Sequence, residues 1–171
     1  PPNVVTVDFS VHSRAKFSPN NEIVAVPTFF GAELWNLSER TILAKLKSDN
    51  VNFLGQFTHD GERYIQGGVF ALDSWKTDGS EAHPSVTFDL MSEDVSFLMG
   101  ISPDDQQVFL GGEDTIKAFA LATGAKLGEL KEVKMGLTDL ATPLIFSSDG
   151  LRVISVSDET EIKVWDSQTY E

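Results

Sequence analysis

The sequence predicts an all-β protein built from four repeated units of short strands, and three observations lead to that prediction. An apolar anchor recurs at intervals of 40, 44 and 45 residues. A second aromatic follows each anchor after 18 or 19 residues. Apolar and polar residues alternate within each unit, as they do in strands, and no long stretch has the period of a helix. The anchors and their aromatics are Phe17 with Trp35, Phe57 with Trp75, Ile101 with Phe119 and Phe146 with Trp165.

Each unit contains the elements of a four-stranded sheet. The first strand ends at the anchor, and a Ser or Thr then opens a turn rich in Pro, Asn, Asp and Gly, residues that favour turns. The second strand alternates, and the third carries the aromatic. A fourth strand is predicted at 41–47, 85–91 and 125–132. Four short strands in about 42 residues are typical of a β-propeller blade.

The predicted units cover residues 11–48, 49–91, 92–132 and 133–171. The last unit ends before its fourth strand. Residues 4–10 have the spacing of a fourth strand relative to Phe17 but have no unit of their own. We therefore expect strand 4–10 to complete a blade, which would cover a free sheet edge.

The fourth unit resembles a WD repeat. Residues 146–169 contain a Ser-x-Asp-Gly turn, the step Ser157-Asp158 and the pair Trp165-Asp166. Residues 101–124 are a second match, with Phe119-Ala120 at the position of the Trp-Asp pair. The first two units are more divergent, and the Gly-His step of the family is absent from all four. The chain is similar to WD-repeat β-propellers with degenerate repeats.

The resemblance implies an all-β propeller of four-stranded antiparallel blades. It also implies that the repeated aromatics pack between neighbouring blades. Propellers of this family usually have seven or eight blades, so we expect these four to be part of a larger propeller. Two chains forming one ring of eight blades, or closure of four blades alone, are the alternatives. An open set of four blades would expose two apolar sheet faces.

Composition limits the classes of function. The formal net charge is −13, which disfavours direct binding of nucleic acid, because phosphates are bound by clustered Lys and Arg. No apolar run is long enough to insert into a membrane as a helix. The chain has no cysteine and three separated histidines, so we predict no metal site and no cofactor. The lack of cysteines and of a signal-peptide pattern predicts an intracellular protein, cytoplasmic or nuclear.

No nucleophile elbow, phosphate loop or paired-His motif is present, so we predict no catalytic residue and no enzymatic activity. The favoured function is a non-catalytic scaffold that binds other proteins within a larger complex. The alternative is a propeller-type enzyme, or a propeller that binds a small ligand at its central channel.

The predicted binding site lies on one rim. In WD-repeat proteins, the loops between second and third strands lie on the rim that most often binds partners. Phe29, Phe30 and Phe70 fall in or beside two such loops and are predicted to be apolar anchors. The alternative is that one or two of these phenylalanines begin a third strand and are buried. The other predicted rim residues are Arg14, Asn52, Glu113, Asp114, Asp158 and Glu159.

Overall fold

The computed structural model describes residues 15–49, 51–68, 71–81, 86–89, 98–111, 115–131, 144–157 and 161–171. Across these ranges the chain is all β, with fifteen strands in four antiparallel sheets and no helix. The strands are β1 (Lys16–Phe17), β2 (Ile23–Thr28), β3 (Gly31–Asn36), β4 (Thr41–Lys47), β5 (Asn52–Phe57), β6 (Arg63–Gly68), β7 (Ala71–Lys76), β8 (Val86–Asp89), β9 (Leu98–Ile101), β10 (Gln107–Gly111), β11 (Thr115–Ala120), β12 (Lys126–Lys131), β13 (Ile145–Phe146), β14 (Arg152–Ser157) and β15 (Glu161–Asp166).

Each sheet is a meander of strands that are consecutive in the chain. The first sheet has the order β1-β2-β3-β4, the second β5 to β8 and the third β9 to β12, while the fourth has β13-β14-β15 in the described residues. The all-β prediction is confirmed, and the fourth strands β4, β8 and β12 fall within the predicted ranges. Strand 4–10, predicted to complete a blade, lies outside the described residues.

A repeated side-chain hydrogen bond shapes the turn between the first and second strands of every sheet. A Ser or Thr hydroxyl donates to an Asn or Asp two residues later, at 2.5–2.7 Å, and accepts from the backbone N–H five residues later. Such side chains mimic backbone turns. The donors are Ser18, Thr58, Ser102 and Ser147. The sequence repeat is thus a repeat of turn chemistry.

Consecutive sheets pack face to face, and each contact has the same construction. We call the face with the row of anchor, second-strand partner and third-strand aromatic the leading face, and the opposite face the trailing face. In the second sheet the leading row is Phe57, Tyr64 and Trp75, which are register partners. This row packs on Ala25, Leu34 and Leu46 from the trailing face of the first sheet. The core is therefore a set of layers between sheets.

The next two contacts repeat this arrangement. Ile65 and Leu72 on the trailing face of the second sheet pack with the leading row Ile101, Val108 and Phe119 of the third. The trailing face of the third sheet then packs on the leading row of the fourth. The residues of this last contact are Phe109, Ile116 and Leu130 against Phe146, Val153 and Trp165. The Phe109 and Phe146 rings meet edge to face, with centroids 5.1 Å apart.

The turns between first and second strands lie together at one end of the molecule. Asp105 accepts hydrogen bonds from the backbone N–H groups of His59 and Asp60, at 2.8 and 2.9 Å, which joins the turns of the second and third sheets. Gly61 lies against Pro19, and Gly150 lies against Pro103, so the remaining turns are also in contact. Because neighbouring strands are antiparallel, the second strands end and the third strands begin at the opposite end.

The repeated aromatics differ in burial according to their sheet. Trp75 and Phe119 are buried between sheets, and Trp165 is half-buried against the third sheet. Trp35 is half-buried on the leading face of the first sheet, and its anchor Phe17 is 63% exposed. The expectation of packing between neighbouring sheets therefore fails for Trp35, because no preceding sheet covers it in the described residues.

Candidate protein-binding site

Two adjacent phenylalanines form the tip of the hairpin between β2 and β3. Thr28 and Gly31 are the last register pair of these strands, and Phe29 and Phe30 connect them. Phe29 is 48% exposed and Phe30 is 59% exposed. The alternative that these side chains begin the third strand and are buried is therefore wrong for both residues. We call Phe29 and Phe30 the Phe tip.

The backbone of the first sheet explains why the tip projects. Gly31 has a φ of 124°, which L-residues with a side chain rarely adopt. A Cβ at Gly31 would also collide with the carbonyl oxygen of Leu46 in the neighbouring strand β4. The backbone N–H of Ser48 donates to the carbonyl oxygen of Phe30 at 3.0 Å. Gly31 and Ser48 therefore hold the hairpin close to the end of β4.

A buried polar cluster joins the base of the tip to the second sheet. Ser48 donates a short hydrogen bond from its hydroxyl to the carboxylate of Asp73, which is buried in β7. The Gln66 side-chain amide, buried in β6, lies 3.5 Å from the carbonyl oxygen of Thr28. Buried polar groups need such partners because desolvation without a hydrogen bond is costly. The cluster anchors the Phe tip to a second sheet.

Sequence reasoning missed Gln66 and Asp73. They are register partners in β6 and β7, on the leading face that also carries Tyr64 and Trp75. The sequence does contain one indication of this pair: both are polar residues at positions where the alternating strand pattern predicts apolar ones. The function of this pair is structural, because both side chains face the loops of the first sheet rather than solvent.

Of the other predicted rim residues, the structure describes Asn52. Arg14, Phe70, Glu113, Asp114, Asp158 and Glu159 lie outside the described residues. Asn52 is the first residue of β5 and pairs in register with Gly68. The strands that flank Phe70 and the two acidic pairs are β6 with β7, β10 with β11 and β14 with β15. The facing ends of these strands lie at the same end of the sheets as the Phe tip.

The opposite end of the molecule is acidic. Asp104 and Asp149 accept hydrogen bonds from Ser102 and Ser147, and these bonds hold the pKa of both carboxyls below their ordinary value. Asp104 and Asp105 are adjacent carboxylates in the turn between β9 and β10. In the structure each has a turn partner, Ser102 for Asp104 and the His59 turn for Asp105.

The part of the chain that the structure describes contains no group of three or more His, Asp or Glu residues arranged to hold a metal ion. It also contains no helix of the length and apolarity that crossing a membrane requires.

No known family model matches the chain, and no curated protein matches it in sequence. Among solved structures, the chain is similar to hydrazine synthase of Kuenenia stuttgartiensis, with a TM-score of 0.77 and 11% identity. The similarity covers 98% of this chain and 49% of that one, so this chain spans about half the length of the solved chain. At this identity the similarity describes the fold alone.

This comparison corrects one prediction from the sequence. The prediction of no enzymatic activity is wrong as drawn, because the same fold occurs in a protein that is an enzyme by name. The physical reason is that a fold does not determine function, since catalytic side chains are supplied by loops grafted onto it. The absence of familiar catalytic motifs therefore does not exclude catalysis.

Proposed function

We propose that this chain is a β-propeller module of WD-repeat type that binds other proteins as a scaffold subunit of a larger assembly. The observation that carries the proposal is the Phe tip, two adjacent phenylalanines exposed at a hairpin whose base is fixed by Ser48. Exposed aromatics on a rigid support are favourable interface anchors, because little conformational entropy is lost when they are buried.

The arrangement of the sheets supports the propeller part of the proposal. Each trailing face packs on the next leading face, and the turns between first and second strands share one end. The first strands of neighbouring sheets, such as β1 with β5 and β9 with β13, are also in contact. Blades placed around an axis have these properties, with their first strands innermost.

One hydrogen bond supports the resemblance to WD repeats. Trp165 donates from its indole Nε1 to the hydroxyl of Ser155 at 3.2 Å, and Ser155 is buried. The family has a network of Asp, His, Ser and Trp, and a Trp–Ser bond is one part of it. The bond occurs in the unit whose sequence is most similar to the family.

Net charge indicates the kind of partner. A chain with a net charge of −13 repels nucleic acid and attracts positively charged protein surfaces. In the proposed interface, the Phe tip and Phe70 supply apolar contact. The acidic pairs Glu113-Asp114 and Asp158-Glu159 steer a basic partner and mainly affect its association rate.

The experiment is a comparison of proteins captured by the wild-type chain and by a Phe29→Ala, Phe30→Ala variant, quantified by mass spectrometry. Burying one exposed Phe is worth about 1.5–3 kcal/mol, so each lost anchor weakens binding about tenfold or more. We expect specific partners to be lost from the double variant. Both chains are first shown to unfold at the same temperature.

The matched control is Leu151→Ala. Leu151 is an apolar residue with 47% exposure in a turn at the opposite end of the sheets. The Leu151→Ala chain should retain every partner of the wild type. The proposal is overturned if the Phe-tip variant keeps all partners, or if Leu151→Ala loses the same ones.

A further inference from the structure

The first and last sheets each leave one face without a neighbour in the described residues. On the leading face of the first sheet, Phe17, Val24, Trp35 and Ile42 form one cross-strand row, and Phe17 and Ile42 are exposed. On the trailing face of the fourth sheet, Ile145, Ile154 and Val164 form a row, and Ile162 beside it is 68% exposed. Within the described residues, the four sheets therefore do not close on themselves through these faces.

These two open faces are the two halves of the contact that occurs three times inside the molecule. The row Phe17, Val24 and Trp35 corresponds to Phe57, Tyr64 and Trp75, which is buried against the preceding trailing face. Ile154 and Ile162 correspond to Phe109 and Ile116, which are buried under the following leading face. In its described residues, one chain thus has an open leading face at one end and an open trailing face at the other.

We infer that a second copy of this chain covers both open faces, so that two chains form one closed ring of eight sheets. In this dimer the trailing face of each copy packs on the leading face of the other. The contact is head-to-tail, and a head-to-tail contact gives a ring when its rotation closes. Eight sheets lie within the range that propellers adopt. The inference goes beyond the proposed function, because the Phe tip does not take part in these contacts.

The area of the open faces agrees with a closed dimer. A six-residue strand is about 20 Å long, and neighbouring strands lie about 4.8 Å apart. One sheet face therefore measures about 300–400 Å², and the four faces of two contacts total about 1,200–1,600 Å². Stable protein interfaces bury about 1,200–2,000 Å². A dimer joined by a single head-to-tail contact would bury about half of that area, so two copies joined by both contacts are favoured over two copies joined by one.

Charge gives the dimer a recognisable salt dependence. Each copy has a formal net charge of −13, so two copies repel one another over long distances. Salt screens this repulsion, while the apolar faces are unaffected or strengthened. Association of the copies should therefore become stronger as salt increases, the opposite of the behaviour of a contact made by ion pairs.

The test is sedimentation of the whole 171-residue chain across a range of protein and salt concentrations. The wild type should have twice the monomer mass of 18.8 kDa. Phe17→Asp, which damages the leading face, and Ile162→Asp, which damages the trailing face, should each shift the chain to monomer. Leu127→Asp is the control, because Leu127 is 45% exposed in the third sheet, away from both open faces. It should remain dimeric.

A mixing experiment distinguishes a head-to-tail ring from other dimers. A mixture of Phe17→Asp and Ile162→Asp chains restores one intact contact, so a weak dimer should form at concentrations where each variant alone is monomeric. Circular dichroism and cooperative melting verify that the variants fold. A monomeric wild type would overturn the inference, as would polydisperse higher oligomers or a dimer that both variants leave intact.

Discussion

The third-strand aromatics show how one sequence position has two different energetic roles. Trp75 has no exposed surface, because it is enclosed between the first and second sheets. Trp35 occupies the same position in its own sheet but lies half-buried on an open face, where its Nε1 donates to Glu33 at 3.2 Å. Their contributions to the stability of the monomer should therefore differ.

We predict that Trp75→Ala lowers the free energy of unfolding by about 3–5 kcal/mol, because it leaves a cavity in a packed layer. Trp35→Ala should cost clearly less when the monomer is measured at high dilution. Denaturant unfolding of both variants is the measurement. Equal losses for the two variants would mean that Trp35 is as enclosed as Trp75.

The repeated turn predicts a pH dependence that can be assigned to single residues. In the folded chain, hydrogen bonds from Ser102 and Ser147 lower the pKa of Asp104 and Asp149. A carboxyl with a lowered folded pKa contributes stability above its ordinary pKa and loses it as the pH falls through the folded value. Stability from these two turns should therefore be present at pH 7 and decline below about pH 4.

Ser102→Ala and Ser147→Ala should destabilise the chain more at pH 7 than at pH 3, since protonation has already weakened the bond at low pH. Ser18→Ala is the matched control, because its partner Asn20 is an amide that does not titrate. Its effect on the unfolding midpoint should be equal at the two pH values. The same pH dependence in Ser18→Ala would contradict the assignment to the two carboxyls.

At the scale of elements, the sequence repeat was sufficient to predict the sheets. Anchor and aromatic spacing located the strands because both residues belong to one leading row, as Phe57 and Trp75 do. Exposure of the Phe tip was not predictable from that pattern. The sequence pattern of a Phe before a strand is the same whether or not a neighbouring sheet covers the side chain. Exposure of the Phe tip depends on the backbone conformation at Gly31.

The polar cluster below the tip was unpredictable for a related reason. Ser48 follows β4 and Asp73 lies within β7, so the contact joins residues 25 apart that only the packing of two sheets brings together. Strand periodicity reports which face a residue occupies, and it carries no information about which loop lies above that face.

The hairpin that presents the tip gives a further prediction. Gly31→Ala should destabilise the chain by about 1–3 kcal/mol, because it combines strain at positive φ with a collision against the Leu46 carbonyl. Gly67→Ala is the control, since its new Cβ would meet only the end of the Leu72 side chain, at 3.1 Å. Thermal melting of the two variants is the measurement. A Gly31→Ala chain as stable as the Gly67→Ala chain would contradict the prediction.

At the scale of the whole molecule, the four sheets pack on one another in one consistent direction. In the described part of the chain, every contact between sheets joins a trailing face to a leading face, and one face of each kind is left open. The two ends perpendicular to this direction also differ. One end holds the Asp-rich turns, and the other holds the Phe tip. We therefore assign assembly to the open faces and partner binding to the Phe tip.

Photo-crosslinking from the Phe tip tests the central claim most directly. A photoreactive phenylalanine analogue is placed at position 30 in one chain and at position 151, in a turn at the opposite end, in another. We expect position 30 to crosslink to specific proteins in an extract of the native cells, and we expect an excess of the unlabelled wild-type chain to prevent these crosslinks. Position 151 should give none of these products. Competable crosslinks from position 151 with none from position 30 would contradict the account.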